Sequence, residues 1–199
     1  MKEFWNNRYA EADFAYGAEP NEFLKKHLDF LPKDKILFPA EGEGRNAVFT
    51  AQNGREVYAF DMSEEGKKKA LELAETKNVS LQYEVCSAME MPYESDSFDA
   101  LVLIFAHFPK SIRKEVHKKL LSLLKPGGKI IFEAFSKEQL KYQSGGPKDF
   151  EMLFSEEEIK DEFESVHFEN FEKKIINLNE GKYHQGEGSV IRFLGIKKG

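Results

Sequence analysis

Hydrophobic residues along this chain repeat with two alternating periods, one typical of buried strands and the other of amphipathic helices. Short apolar runs predict strands at 36–38, 57–60, 80–85, 98–105 and 129–135. Apolar residues at every third or fourth position between these runs predict helices over 21–31, 45–52 and 111–124, a helix capped by Ser63, and one capped by Ser155. The nearly unbroken run at 98–105 is typical of a central parallel strand that is covered on both faces.

The end of the chain departs from this alternation. Residues 165–176 and 189–197 both predict strands, with only a loop between them and no helix. A standard dinucleotide-binding fold would instead keep alternating strands and helices to its end. We therefore predict an α/β, single-domain Rossmann-like three-layer sandwich over residues 1–199, whose mostly parallel sheet ends in an antiparallel hairpin.

Composition narrows the classes of function. A chain of 199 residues with 18 phenylalanines can bury one good core. The net charge of −6 makes nucleic acid a poor default partner, since nucleic acid is a polyanion. Cys86 is the only cysteine, so no intrachain disulfide can form, and no Cys and His set has metal-ligand spacing. With no apolar signal core and no bilayer-length apolar run, we expect a cytoplasmic protein with no membrane partner.

The strand at 36–38 leads into a glycine loop at 40–46. Its Gly42-x-Gly44-x-x-Ala47 pattern fits the dinucleotide fingerprint, which by itself leaves NAD, FAD and S-adenosylmethionine (SAM) open. The loop also carries Glu41 and Glu43, and each carboxylate in contact with a pyrophosphate would cost about 4 kcal/mol at an effective dielectric of roughly 20. SAM has no phosphate and carries an ammonium and a sulfonium, so the loop favours SAM.

Asp61 follows the second strand and is a candidate ribose ligand. A carboxylate there can accept hydrogen bonds from both hydroxyls of an adenosine ribose, as in NAD and in SAM sites. Asp61 therefore supports an adenosine ligand without choosing between the two cofactors.

Further motifs are spread over almost the whole chain. They are Trp5-x-x-Arg8-Tyr9, Tyr16-Gly17-x-x-Pro20-Asn21, Glu41 to Ala47, Val57 to Asp61 with Ser63, Phe98-Asp99, Ile104 to His107, Lys125 to Gly128, Gly145-Gly146-Pro147, and Glu180-Gly181 with His184. As a set they resemble the class I SAM-dependent methyltransferases, and within these the branch that includes tellurite-resistance and thiopurine methyltransferase-like proteins.

This resemblance implies SAM as cofactor, a small-molecule methyl acceptor such as a thiol or a chalcogen oxyanion, and a monomer or homodimer. It also implies that the N-terminal segment before the first helix lies over the cofactor as a lid, with the lid and the first helix together spanning residues 1–31. The cofactor-binding residues that we expect are Glu41, Gly42, Glu43, Gly44, Asn46, Asp61, Met62, Ser87, Ala88, Met89 and Phe105.

Two positions depart from the family's pattern. Phe38 stands where class I enzymes often have an acid, so Glu41, Glu43 or water would have to meet the cofactor's ammonium. Ser87 stands where an Asp often binds the adenine amino group. These departures keep open the alternative of a SAM-binding regulatory protein that transfers no methyl group. An NAD-dependent oxidoreductase is disfavoured by the two glutamates.

Three residues are candidates for the acceptor side. His107 follows the fourth strand at the edge where ligands of open α/β sheets gather, and it could act as a base or pack as a structural histidine. We predict that His184 lies in a long, glycine-rich hairpin loop at 180–186. Arg8 could pair with the SAM carboxylate or with an anionic acceptor, or it could be a surface residue. The glycine-rich segment at 144–147 is expected to border the acceptor pocket.

Overall fold

Seven strands form one sheet in the computed structural model, which describes residues 1–199. They are β1 (Lys35–Pro39), β2 (Glu56–Asp61), β3 (Gln82–Val85), β4 (Phe98–Ile104), β5 (Leu124–Phe135), β6 (Val166–Glu180) and β7 (His184–Lys197). Their order across the sheet is β3-β2-β1-β4-β5-β7-β6. The first five are parallel, and β7 pairs antiparallel with both β5 and β6. The predicted mostly parallel sheet that ends in an antiparallel hairpin is thus confirmed.

Six α-helices accompany the sheet. They are α1 (Lys2–Tyr9), α2 (Glu22–Lys26), α3 (Arg45–Gln52), α4 (Glu64–Thr76), α5 (Lys110–Leu123) and α6 (Glu156–Glu162). The predicted caps are present, because Ser63 Oγ accepts the Gly66 N–H and Ser155 forms a capping box with Glu158. No helix combines the length and the apolar character that crossing a bilayer requires.

Two helical segments differ from the prediction. The helix predicted over 21–31 is only α2, followed by a 3₁₀ turn at Leu28–Phe30. The His27 N–H is shared between the carbonyls of Phe23 and Leu24, as is common where an α-helix tightens at its end. The sequence does not predict helix α1, because this segment has no apolar stripe. Tyr9 is the only residue of the helix that is buried.

The core lies in two layers, one on each face of the sheet. On one face, Leu37 and Phe132 pack with residues of α5 and α6. On the other, Phe38 and Ile131 pack with residues of α2, α3 and α4. The chain is therefore a three-layer α/β/α sandwich. Phe38 is fully buried in this core, so its side chain cannot substitute for the acid that it replaces.

The hairpin at the end of the chain is tighter than predicted. Its turn comprises only Gly181–Tyr183, and His184 is the first residue of β7, paired with Glu180. The prediction of a long loop over 180–186 is wrong. Apart from the buried Leu178, the extra strand residues are polar or glycine and lack a strand pattern. They are held by contacts with distant segments, since the Tyr183 N–H donates to Ala15 O and the Gln185 N–H donates to Ser144 O.

Candidate active site

The glycine loop lies at the carboxyl edge of the sheet, directly after β1. Gly42 and Gly44 have left-handed φ of 61° and 83°. A Cβ at Gly44 would lie 2.5 Å from Ala70 Cβ, so α3 and α4 approach closely only because this residue is glycine. A Cβ at Gly42 would lie 2.5 Å from Tyr9 Oη. The loop therefore fits closely between α4 and the N-terminal segment.

The two glutamates of the loop have different environments. Glu41 Oε1 accepts the N–H groups of Asn46 and Ala47, at 2.9 and 2.8 Å, and so caps α3, while its Oε2 forms no hydrogen bond. Burial raises the pKa of Glu41 to about 7. Glu43 is instead ion-paired with Lys69 at 2.9 Å and accepts the Ala15 N–H at 2.8 Å. Only Glu41 therefore has a carboxylate oxygen left for a ligand.

Asp61 ends β2 with its carboxylate turned toward the glycine loop. Its Oδ2 accepts the Gly42 N–H at 3.1 Å and its Oδ1 accepts the Ser63 N–H at 2.9 Å. Burial raises the pKa of Asp61 to about 6. The structure thus brings Asp61 and the glycine loop together, as a shared ribose and methionine site requires.

The segment predicted for adenine follows β3, beside Asp61. The Cys86 N–H donates to the Asp61 carbonyl at 3.0 Å, which fixes the start of this segment. Ser87 Oγ donates to Glu90 at 2.9 Å, Ala88 is buried, and Met62 and Met89 are half-buried nearby in the chain. Asn46 is committed elsewhere, because its Oδ1 accepts the Asn21 N–H at 2.9 Å.

The N-terminal segment covers the loop. Helix α1 packs on α4, and Tyr9 is only 5% exposed. The Trp5 ring stacks on Tyr9 with centroids 5.4 Å apart. The cavity left beneath Tyr9 and Tyr16, beside Glu41, has a volume of about 30 Å³. That is room for about one water molecule, so this cavity by itself cannot hold a ligand of the size of SAM.

His184 forms a buried pair with Glu180 at the same edge of the sheet. His184 Nδ1 lies 3.1 Å from Glu180 Oε2, and this carboxylate also accepts from Arg45 Nη2 at 2.9 Å. Although burial acts in the opposite direction, Arg45 and His184 lower the pKa of Glu180 to about 2. Burial lowers the pKa of His184 despite its carboxylate partner. His184 is therefore neutral at pH 7, with its proton on Nδ1 and a lone pair on Nε2.

Aromatic side chains enclose this imidazole. The rings of Tyr16, Phe105 and Phe135 lie 4.5, 4.7 and 5.2 Å from it between centroids. Nε2 forms no hydrogen bond with the protein, although His184 as a whole is only 4% exposed. The structure thus brings His184 together with Phe105, one of the predicted cofactor residues.

Arg8 lies beside the same cluster. Its Nη1 donates to Tyr16 Oη at 3.3 Å, and its guanidinium carbon stands 3.7 Å above the Tyr183 ring. No carboxylate lies within ion-pair distance of Arg8, although most other arginines of the chain are paired. It is therefore a cation with unused hydrogen-bonding capacity at the rim of the site.

His107 is placed differently from the other two candidates. Its Nδ1 lies 2.9 Å from Met152 O, and its Nε2 accepts the Phe135 N–H at 3.2 Å. Burial lowers its pKa to about 4. Both ring nitrogens thus form hydrogen bonds with the backbone, as expected for a structural histidine.

Sequence reasoning missed the role of Glu180. Glu180 is part of the Glu180-Gly181 motif, but the predicted long loop separates it from His184. The tight turn instead makes the two residues a strand pair. No group of three or more His, Cys, Asp or Glu side chains is placed to hold a metal ion.

Comparison with known proteins gives a consistent result. Residues 36–128 match a family described as a methyltransferase domain. The ubiquinone/menaquinone biosynthesis C-methyltransferase UbiE of Rickettsia massiliae is 33% identical over 130 residues, which are 60% of this chain and 50% of that protein. The chain spans about half the length of the curated relatives that it matches.

Solved structures share the fold at low identity. A structure described under the conversion of a disulfide bond into a thioacetal group during echinomycin biosynthesis has a TM-score of 0.81 and 16% identity, over 100% of this chain and 92% of that one. TehB of Haemophilus influenzae has a TM-score of 0.73 and 16% identity, over 99% of this chain and 67% of that one. Residues 36–128 are thus similar to a methyltransferase domain, and SAM is the cofactor that this family and fold imply.

Proposed function

We propose that this chain is a SAM-dependent methyltransferase, that it methylates a small-molecule acceptor, and that His184 removes the acceptor's proton. The observation that carries the proposal is the Glu180–His184 pair, which lies at the same sheet edge as the glycine loop and Asp61. Open α/β sheets bind their ligands at this edge. A cofactor loop and a neutral, oriented histidine in one place are what a methyl transfer with proton removal requires.

The residues present fit SAM. Asp61 would accept from the ribose hydroxyls, and Glu41 Oε2 would accept from the ammonium in place of the acid that Phe38 replaces. Gly42 and Gly44 allow a ligand close to the backbone. When bound, SAM supplies a methyl group activated by its sulfonium. The adenine would lie among Met62, Ser87, Ala88 and Met89, with Phe105 at the inner end of the site and Glu43 and Asn46 supporting the loop.

His184 would act as the general base. Glu180 accepts the Nδ1 proton and so leaves the Nε2 lone pair to receive a proton. The rings of Tyr16, Phe105 and Phe135 surround the imidazole. Arg8 would hold a negative charge on the acceptor, because its guanidinium has no carboxylate partner. In this assignment His107 is a support for the site and not the base.

The class of acceptor follows from these groups. A base beside an unpaired cation suits an acceptor that becomes anionic when it loses its proton. A thiol meets this description, whereas a chalcogen oxyanion is already anionic and would use Arg8 without needing a base. The name of the UbiE relative, a ubiquinone/menaquinone biosynthesis C-methyltransferase, adds a quinol carbon as an acceptor to be tested.

We propose that residues 1–199 act as one domain with residues 1–31 as its lid and first helix. A cytoplasmic monomer or homodimer with no nucleic-acid or membrane partner stays a prediction.

Calorimetry with S-adenosylhomocysteine tests the cofactor site. We expect saturable binding, and no binding up to about 1 mM ligand would end the proposal. Transfer is then measured with labelled SAM and a panel of 1,4-naphthohydroquinone, benzenethiol, selenite and tellurite. His184→Asn serves as the control, and it should be inactive only toward an acceptor that must lose a proton.

A second candidate function is a SAM-binding regulatory protein without transfer activity. It is favoured by the burial of Phe38 in the core and by the engagement of Ser87 Oγ with Glu90, since both remove usual cofactor contacts. This candidate predicts S-adenosylhomocysteine binding with no methylation of any panel member. Methylation of one acceptor would exclude it.

A further inference from the structure

Residues 144–153 form a segment, here called the wall, whose Gly145 and Gly146 lie beside His184 and Phe135. Gly145 has a left-handed φ of 122°, and a Cβ placed there would lie 2.6 Å from His184 Cδ2. A Cβ at Gly146 would lie 2.7 Å from the Phe135 ring. The wall therefore touches His184 through glycine backbone, and a displacement of the wall changes the surroundings of the imidazole.

A buried glutamine fastens the front of this wall. Gln139 is 1% exposed, and its Nε2 donates to Ser144 Oγ and to Gly145 O, both at 3.0 Å. Its Oε1 accepts the Ser189 N–H of β7 at 2.8 Å. One side chain therefore joins the wall to the strand that carries His184.

Two buried side chains fasten the rear of the wall. Arg113 Nη1 donates to the carbonyls of Glu151 and Leu153, each at 3.2 Å. His107 Nδ1 donates to the carbonyl between them, that of Met152, at 2.9 Å. Three consecutive carbonyls are thus bound by side chains of another part of the chain.

The rear attachment places the charged side chain of Arg113 in the protein interior. Arg113 is 1% exposed, and Glu162 neutralises it through contacts of 2.9 Å to both Nε and Nη2. Removing one partner of such a buried pair usually destabilises more than the pair itself contributes. An apolar residue would pack between α5 and α6 at lower cost, so the carbonyl contacts are what an arginine adds here.

We propose that Gln139 and Arg113 are positioning residues that hold the segment 144–153 against His184 and thereby shape the acceptor side of the site. The inference rests on the proposed function only in calling this the acceptor side of the site. The contacts of the segment do not depend on that function. Neither residue touches a reacting atom. Gln139 holds Gly145 directly, and Arg113 holds the far end of the same segment.

The test compares Gln139→Met and Arg113→Lys with Lys114→Ala. Lys114 neighbours Arg113 on α5 and forms an exposed ion pair with Asp161 at 2.7 Å, so its removal perturbs the same helix pair without touching the wall. Amide exchange over residues 142–153 is measured by mass spectrometry. The titration of the His184 imidazole, which faces Glu180, Arg45, Arg8 and Tyr16, is followed by nitrogen-15 NMR.

In both wall variants we expect amide exchange over 142–153 to rise about tenfold or more. We also expect the His184 titration to move upward by about one pH unit, toward the ordinary histidine value. Lys114→Ala should change neither quantity. An unchanged His184 titration in folded variants with a loosened wall would overturn the proposal.

If Gln139→Met or Arg113→Lys does not fold, Ser144→Ala replaces it. This change removes one of the two bonds that Gln139 donates and leaves Arg113 and Glu162 intact. It should give a smaller shift of both quantities in the same direction, and no shift would count against the proposal. Binding of S-adenosylhomocysteine is measured in parallel. Its absence in the wild type would end the proposed function alone, since exchange and titration still decide whether the two residues fix the wall.

Discussion

The cofactor side and the acceptor side of this site are built in different ways. On the cofactor side, β1, the glycine loop, α3 and Asp61 come from one stretch of chain, and backbone conformation places them. On the acceptor side, Arg8, Gly145 and His184 come from segments far apart in the sequence, and side-chain hydrogen bonds place them. The cofactor side should therefore be little affected by substitutions on the acceptor side. The acceptor side depends on single buried polar contacts.

Replacing the proposed base, His184, should show the largest difference between the acceptor side and the cofactor side. In His184→Asn we expect kcat to fall by about 100- to 10,000-fold, the usual contribution of a positioned general base. The affinity for S-adenosylhomocysteine should stay within about twofold, because Asp61 and Glu41 are untouched. Turnover is measured with the acceptor from the panel that the wild type methylates. His167→Asn is the control, since this histidine of β6 has a side chain that is 68% exposed. Equal losses in both variants would contradict the assignment.

Changing the glycine loop should affect the fold rather than the base. Gly44→Ala places a Cβ in a left-handed conformation and against Ala70, so we expect it to lower the free energy of unfolding by about 2–5 kcal/mol. Gly54→Ala is the control, because Gly54 has a φ of 75° with no atom within 4 Å of a Cβ, and strain alone should cost about 1–2 kcal/mol. Urea denaturation measures both. Equal destabilisation would mean that the contact between α3 and α4 is not tight.

The same difference explains what could be predicted from the sequence. The strand at 36–38, the glycine loop and Asp61 leave local patterns, namely apolar runs, glycines at left-handed positions and a strand-end carboxylate. Their positions are confirmed. The Glu180–His184 pair leaves no local pattern, because the mostly polar end of this hairpin is held by pairing between β6 and β7 and by contacts with the lid and with Ser144. Glu41 and Glu43 also look alike in sequence, and only their partners distinguish them.

Asp61→Ala tests the cofactor side alone. We expect the binding of S-adenosylhomocysteine to weaken by about 1–3 kcal/mol, the usual effect of losing a charged hydrogen-bond partner. The pH dependence of turnover on the acid side should not move, because His184 is unchanged. Calorimetry measures the affinity, with the exposed Asp34→Ala as control. An affinity equal to that of the wild type would place the ribose elsewhere.

Acidity should weaken cofactor binding through Glu41. Because burial raises the pKa of Glu41 to about 7, its carboxylate loses its charge as the pH falls through that value. The charged form is the one that accepts from an ammonium, so affinity should fall below about pH 7, by at most about tenfold per pH unit. Glu41→Gln should bind more weakly and show no change between about pH 6.5 and 8. Calorimetry over this range decides, and a wild-type affinity that is flat there would exclude this role for Glu41.

The lid connects the two regions, and its outer contact should have the smallest effect. Helix α1 packs on α4 beside the cofactor loop, while Glu11 accepts from Lys182 at 2.9 Å and from Tyr183 Oη at 2.5 Å on the hairpin turn. Trp5 is the only tryptophan of the chain, and it stacks on Tyr9 above the loop, so its emission reports the lid. Since the cavity beneath Tyr9 holds about one water, cofactor binding should change this emission.

In Lys182→Ala the emission change should persist, and the affinity for S-adenosylhomocysteine should differ from that of the wild type by less than about fivefold, because an exposed ion pair contributes little. Raising the salt concentration to about 0.5 M should reproduce this small effect in the wild type and add nothing in the variant. A larger loss would mean that the exposed ion pair, and not the buried contact of Glu43 with Ala15, holds the lid. The lid would then belong to the acceptor side, with its dependence on single side-chain contacts, rather than to the cofactor side.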